Sequence, residues 1–253
     1  MQEDSFLKCV DPNCGLIYPI YSTNVQCENG HVLDVKYKNI PSTKLKDTFY
    51  ERRNSKGSIF NESGIWRFRE LLNFCQIDTE SLEECSKFLV SLDGAEGRQS
   101  KPYHMSKAAE FLGIEKDGLW LQPEGYNPSG SFKDNGMVTA VTHAKLVGAK
   151  KIVCASTGNT SASAGMFAAN EGIDCDVYIP AGQIAPGKLS QAYQFGAQIV
   201  QVEGNFDDAL KQSLDDAQNH GGYTVNSVNP FRIEGQKTIP FRALEYLNWE
   251  VPD

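Results

Sequence analysis

Positive charge and long apolar runs are both scarce in this sequence of 253 residues. Lysine and arginine total 24 against 32 acidic residues, for a net charge of -8. A nucleic-acid binder, or a protein held on anionic lipid, would carry a basic face, so the balance argues against both partners. No apolar stretch approaches the roughly 20 residues that cross a bilayer, and the opening residues hold no signal-peptide core. Cysteine is present but unpatterned: there are seven, an odd number, and only the first three fall close together. Such a set does not build a disulfide framework and suits a reducing cytoplasm. No internal repeat or low-complexity tract interrupts the chain. The expectation is a soluble, cytoplasmic, globular protein of one large domain or two small ones.

The most informative stretch reads Asn127-Pro128-Ser129-Gly130-Ser131-Phe132-Lys133-Asp134. Asn-Pro and Gly130 make a tight turn. Ser131 is suited to cap a helix whose apolar residues continue at helical spacing to Val147. Lys133 then lies in the first turn, at the positive end of the helix dipole. That field and partial burial both disfavour an ammonium ion. A neutral amine is what Schiff-base chemistry with a carbonyl cofactor requires. An isolated lysine at a helix start reads simply as surface, so its neighbours carry the argument.

Beyond this turn the pattern is regular. Apolar strand candidates start near Lys151, Cys175, Gln198 and Tyr223, with helix candidates at about 160–171, 188–195 and 206–219 between them. Alternating strands and helices build a parallel sheet with helices on its faces, an α/β fold. Such sheets bind ligands outside the carboxyl ends of their strands. Three loops fall there. Ser156-Thr157-Gly158-Asn159-Thr160 offers hydroxyls and backbone amides at a helix start, a nest for a carboxylate or phosphate, or else an ordinary turn. Pro180 to Lys188 places a lysine among glycines, as a point charge for phosphate or as solvated surface. Asn226 to Thr238 brings Ser227 and Arg232, and arginine grips phosphate as a bidentate fork. Lys237, in the same stretch, reads as structural.

Upstream, Cys9, Cys14, Cys27 and His31 are spaced Cys-x4-Cys, twelve residues, Cys-x3-His. Three sulfurs and an imidazole suit tetrahedral zinc, but the spacing is loose and a degenerate, metal-free β-ribbon is the plainer reading. Residues 41–57 are polar and charged, an exposed helix or connector, and Gly64 to Leu72 reads as an amphipathic packing element. Gly118 to Gln122 reads as a strand. The acidic pairs Glu83-Glu84, Asp207-Asp208 and Asp215-Asp216 read as capping and solvated residues. His104, His143 and His220 belong to no recognisable constellation.

The stretch from Asn127 to Asp134 resembles the cofactor-lysine motif of the threonine synthases, a family of fold-type II pyridoxal phosphate enzymes. Trp66-Arg67-Phe68-Arg69-Glu70-Leu71-Leu72 is similar to a segment that precedes their catalytic domain, and Leu33-Asp34-Val35 to the strand after their N-terminal ribbon. In this chain Gly30 falls where that ribbon has its last cysteine, Asn135 stands where many members have arginine, and Glu96-Gly97 is not followed by their Thr-Pro-Leu turn. The resemblance implies parallel sheets flanked by helices with a small N-terminal β-ribbon. It implies a ribbon and connector over 1–57, a large domain begun by 58–122 and 223–253, and a smaller α/β domain over 123–222. The large domain is expected to be incomplete, because the chain stops where a further strand should begin and a glycine-rich phosphate loop should follow. An N-terminal portion of such an enzyme, weakly active or inactive alone, is therefore expected.

The implied cofactor is pyridoxal 5'-phosphate, held by Lys133 with Phe132 and Asn159 beside it. The implied reaction converts O-phospho-L-homoserine and water to L-threonine and phosphate. Ser156, Thr157, Asn159 and Thr160 would hold the amino-acid end of this small-molecule substrate, and Lys188, Ser227 and Arg232 its phosphate. A homodimer is open as the assembly. Two other readings stay open: a related dehydratase acting on a substrate without phosphate, and a non-catalytic module of the same fold.

Overall fold

The computed structural model describes residues 4–39, 45–55, 58–72, 74, 102–182 and 186–252, with backbone alone for residues 59 and 186–188. The displaced turn near Glu96 and the acidic pair Glu83-Glu84 therefore lie outside the described residues.

An N-terminal three-stranded antiparallel ribbon comes first: β1 (Ser5–Cys9), β2 (Ile17–Pro19) and β3 (Leu33–Tyr37), in the order β2-β1-β3. Its alternation is that of a sheet with one buried face, Leu7, Cys9, Leu33 and Val35 pointing inward. Helices α1 (Leu45–Asn54) and α2 (Ile59–Glu62) and a 3-10 turn at Trp66–Leu71 follow. The charged α1 is less solvated than its composition suggests. It buries Phe49, and its Arg52 turns inward to the Arg67 carbonyl and the Glu70 carboxylate. The turn at 66–71 packs as expected, with Trp66 and Phe68 buried. The strand expected over 118–122 is only β5 (Trp120–Leu121), an exposed two-residue pairing with β4 (Tyr103–His104); α3 (Ser106–Leu112) lies between them.

From Lys133 onward the alternation forms as read: α4 (Lys133–Leu146), β6 (Lys151–Ala155), α5 (Asn159–Glu171), β7 (Asp174–Pro180), α6 (Pro186–Gln194), β8 (Gln198–Val202), α7 (Phe206–His220), β9 (Gly222–Thr224), α8 (Pro230–Gln236) and α9 (Thr238–Tyr246). The four strands pair in parallel in the order β8-β7-β6-β9. β6 and β7 are nearly continuous apolar runs because helices cover both faces of the sheet. β9 crosses the domain boundary drawn at residue 222 and pairs with β6, so the sheet runs across that boundary. Asp208 serves as a capping residue, forming a reciprocal capping box with Asn205 at the start of α7.

Helix α4 is buried on every side from Asp134 to Ala144, so it reads as a central helix rather than an amphipathic one. Small residues make this possible. A Cβ added at Gly136 would lie 2.6 Å from the Arg232 carbonyl oxygen, and one at Gly235 would lie 2.0 Å from the Asn135 carbonyl oxygen. Helices α4 and α8 thus touch backbone to backbone, and Thr139 Oγ1 donates to the Phe231 carbonyl across the same contact at 2.6 Å.

His143, which the sequence left without a role, ties the ribbon to this pair of helices. Its Nε2 donates to the Ile20 carbonyl at 2.9 Å, so its Nδ1 accepts from the Tyr223 hydroxyl at 2.8 Å. The ring stacks on Phe231 with centroids 3.5 Å apart. Burial brings its pKa from 6.5 down to about 4. A second tie joins the Tyr37 hydroxyl to the Glu234 carboxylate, which also pairs with Lys237 at 2.6 Å, giving Lys237 the structural role expected of it.

Two outcomes are expected. Gly235→Ala forces a methyl against the Asn135 carbonyl; chemical denaturation should show a loss of about 1–3 kcal/mol or more. An unfolded His143 takes a proton below 6.5 while the folded one stays neutral to about 4. Its contribution is therefore complete above 6.5 and is lost as pH falls from there to about 4. Urea unfolding near neutral pH and near pH 4 should show wild type losing on the order of 3 kcal/mol more than His143→Gln. The buried carboxylates Asp134, Glu234 and Glu245, whose pKa values are raised, titrate in both proteins and cancel from that difference.

Candidate functional site

The site is built where the start of α4 meets the carboxyl ends of β6 and β9. The turn before α4 is closed by the Gly130 amide donating to the Asn127 carbonyl at 2.6 Å, with Gly130 in the left-handed region at φ 79°. Ser131 caps from one place further out than usual, its Oγ accepting from the Lys133 amide at 3.3 Å. Asp134 then fastens the turn to the neighbouring helix. Its carboxylate accepts from the Ser129 amide (2.8 Å), the Ser129 hydroxyl (2.5 Å) and the Ser163 hydroxyl of α5 (2.6 Å). Burial pushes the Asp134 pKa up, and these donors, with Arg232, only partly offset it.

Lys133, the first residue of α4, is half-buried, and among the described residues no carboxylate pairs with it. Its Nζ lies 4.5 Å from the centre of the exposed Phe132 ring. Burial first, and the Arg232 guanidinium second, lower its pKa below the ordinary lysine range. That is the direction read from the helix start, although the larger cause is desolvation.

Across from it, the loop after β6 carries Ser156 and Thr157, both half-buried, into α5, where Asn159 is exposed and Thr160 buried. The Ser156 Oγ accepts from the Gly158 amide at 3.2 Å, and the Ser161 Oγ donates to the Gly158 carbonyl at 2.6 Å. Gly158 has φ -143°, outside the left-handed region. A Cβ there would meet nothing within 4 Å, leaving that face of the loop open.

The loop after β9 is locked beside the first. Asn226 brackets Ala155, accepting from its amide and donating to its carbonyl, both at 2.9 Å. Asn229 caps α8 by accepting from the Phe231 amide at 2.8 Å and donates to the Thr224 carbonyl at 2.7 Å. Ser227 is exposed between them. Arg232 is wholly buried. Its Nη1 donates to the Val225 carbonyl at 2.7 Å, while Nε and Nη2 have no partner. Burial brings its pKa down to about 10. Lys188 is in α6, but its side chain lies outside the described residues.

Sequence reasoning missed the polar frame beneath these residues. Glu124 accepts from Gln122, Asn127 and Asn135 at 2.7, 3.0 and 2.8 Å, and pairs with Arg242 of α9 at 2.8 Å. Burial pushes the Glu124 pKa up, but Arg242 and the amides outweigh it and hold it below the ordinary range. Asn135 accepts from Arg242 Nη1 at 3.0 Å, so an arginine does reach this position, from a later helix. Asp134 and Asn226 stand inside motifs already singled out; the signal was present but attached to their neighbours. Two cavities of about 440 and 430 Å³ lie elsewhere, one between the ribbon and α7, the other at the amino ends of β6 and β7; neither is lined by Lys133.

A family model described as "Pyridoxal-phosphate dependent enzyme" matches residues 98–253. The chain is 39% identical over 246 residues, 97% of its length, to a protein of Methanocaldococcus jannaschii named threonine synthase, covering 55% of that protein. It is 54% identical over 142 residues, 56% of its length, to a Bacillus sp. protein of the same name, covering 39% of that one. The chain thus spans about half the length, or less, of these curated relatives. Among solved structures, maize serine racemase shares the fold over 69% of this chain and 51% of its own, with a TM-score of 0.53 and 18% identity. With the family match extending over more than half of its residues, including Lys133 and the loops beyond β6 and β9, the chain belongs to the pyridoxal phosphate-dependent enzymes.

Proposed function

We propose that the chain carries the cofactor lysine and substrate loops of a threonine synthase, a carbon–oxygen lyase converting O-phospho-L-homoserine and water to L-threonine and phosphate. The observation that carries the reading is Lys133: a half-buried amine of lowered proton affinity, without a carboxylate partner among the described residues, at the head of a helix. The name borne by the relatives at 39% and 54% identity supports the same reaction.

Pyridoxal phosphate suits the residues present: its carbonyl would meet the Lys133 amine, which has no carboxylate partner among the described residues. When bound it supplies an electron sink for the carbon adjoining the amino group. Lys133 Nζ holds the cofactor and then carries protons at Cα and Cβ, its lowered pKa keeping it able to accept them. Phe132 and Asn159 flank the cofactor. Ser156, Thr157, Asn159 and Thr160 hold the substrate carboxylate through hydroxyls and amides at the start of α5. Lys188, Ser227 and Arg232 stabilise the phosphate as the bond from Cγ to oxygen breaks. The proton taken from Cβ is made good at Cγ, which becomes the methyl carbon; water then supplies the hydroxyl at Cβ and its remaining proton leaves with the phosphate, so atoms balance. The free thiols of the described cysteines support a cytoplasmic setting.

One observation favours a second reading. Arg232 is wholly buried and spends one nitrogen on the Val225 carbonyl, so a substrate without phosphate, as in a serine or threonine dehydratase, needs less rearrangement.

The test titrates the chain with pyridoxal phosphate while recording visible absorbance, beside Lys133→Ala. Wild type should develop a band that borohydride traps on Lys133, and the variant should not; no band either in this chain or in a longer one that carries the expected phosphate loop overturns the assignment of the lysine. In a longer chain that turns over, Lys133→Ala should lower the rate of phosphate release from O-phosphohomoserine about 10²–10⁴-fold. Deamination of serine or threonine without phosphate release would favour the second reading.

A further inference from the structure

Away from Lys133, the ribbon gathers four metal-ligating side chains, Cys9, Cys14, Cys27 and His31, whose donor atoms all lie within 4.8 Å of one another. The distances fit a single centre. Cys9 Sγ and Cys27 Sγ are 3.7 Å apart, Cys14 Sγ and Cys27 Sγ 3.8 Å, and Cys9 Sγ and His31 Nδ1 3.6 Å. A tetrahedron with zinc–sulfur bonds of about 2.3 Å and a zinc–nitrogen bond of about 2.0 Å has edges of about 3.8 Å between sulfurs and about 3.5 Å from sulfur to nitrogen. A disulfide would need about 2.05 Å, and all three thiols are free.

The backbone is shaped to hold these ligands. Cys9 ends β1, and the Cys14 amide donates to the Asp11 carbonyl in the following turn. The Cys27 and His31 ends of the second turn are closed by the Cys27 amide donating to the His31 carbonyl at 2.8 Å. Gly30 is left-handed there at φ 79°, a conformation a cysteine in its place would strain to adopt. The imidazole is also oriented: its Nε2 faces the Asp11 carboxylate at 3.6 Å, turning Nδ1 toward the three sulfurs. Histidine ligands are commonly fixed by a carboxylate on the far nitrogen in this way.

We propose that Cys9, Cys14, Cys27 and His31 Nδ1 bind one zinc ion, with Asp11 orienting the imidazole. Four protein ligands leave no open coordination position, so the ion is structural rather than catalytic. It pins the two turns of the ribbon whose Ile20 carbonyl receives His143, and His143 in turn stacks on Phe231, the neighbour of Arg232.

The whole chain, purified without chelator and supplied with zinc alone, should retain about one zinc per chain by elemental mass spectrometry. Replacing zinc with Co(II) should give the visible bands of a tetrahedral thiolate site. His31→Cys should keep the stoichiometry and move the cobalt bands toward those of an all-thiolate centre. Asp11→Asn should keep the metal but bind it about 10–100-fold more weakly. Cys14→Ser with Cys27→Ser should abolish binding. The proposal is overturned if wild type takes up no zinc and shows no tetrahedral cobalt spectrum, if it carries iron in preference, or if the folded double variant still holds stoichiometric metal. Should the double variant not fold, the wild-type and His31→Cys cobalt spectra decide alone.

Discussion

The close approach of α4 to α8 is the constraint on which the other features depend. Gly136 and Gly235 let one helix backbone lie against the carbonyl groups of the other, at distances no side chain could share. α4 is enclosed on all sides: it packs against α5 and α8, and its His143 reaches both Tyr223 of β9 and Ile20. Its first turn is thereby held at the carboxyl edge of the sheet. Lys133 and Asp134 are consecutive there, so their side chains diverge: the acid turns inward to Ser129 and Ser163 while the amine stays half-exposed. Anchoring the turn and exposing an amine of lowered proton affinity are thus divided between adjacent residues.

Burying so many polar groups is stable only if they are paired, since an unsatisfied buried group costs about 1–3 kcal/mol. Asp134, Glu124, Asn135, Asn226 and Asn229 meet that requirement with partners drawn both from neighbouring turns and from distant elements. Arg232 does not, having two nitrogens without a partner under the loop that carries Ser227. A buried guanidinium with unused donors is an energetic deficit in the structure as it stands, and an anion is the chemical species that would remove it. The same charge helps to lower the proton affinity of Lys133, so Arg232 acts on the amine whether or not an anion is present.

Much of the α/β half was legible because its signals are local. The strands at Lys151, Cys175, Gln198 and Tyr223 are apolar runs, and each following helix begins with turn chemistry that sequence displays. The motif around Lys133 also announced itself through Asn-Pro, Gly and Ser within a few residues. What sequence hid was long-range pairing. Nothing near His143 points to Ile20 or Tyr223, which lie 123 and 80 residues away. Nothing near Asn135 points to Arg242, 107 residues later. Arg232 was read as a ligand grip because of its type and loop, while its depth depends on α4 packing above it. The ribbon was left undecided for a related reason: loose spacing between ligands says little until the turns bring the donor atoms together.

The ribbon bears on the site through Tyr37, which bonds Glu234 of α8, and through a longer line of contacts that starts at Ile20. Ile20 fixes the tautomer of His143 by accepting from Nε2, which leaves Nδ1 for Tyr223 of β9. Tyr223 can donate to Nδ1 only while the imidazole is neutral, and the ring's flat contact with Phe231 fixes its plane. Phe231 lies in the first turn of α8, its amide held by Asn229 and its carbonyl by Thr139 of α4. Moving the ribbon would therefore disturb, in order, the ring of His143, the start of α8 and the seat of Arg232. A small antiparallel sheet with no residue in the site thus takes part in setting the geometry there.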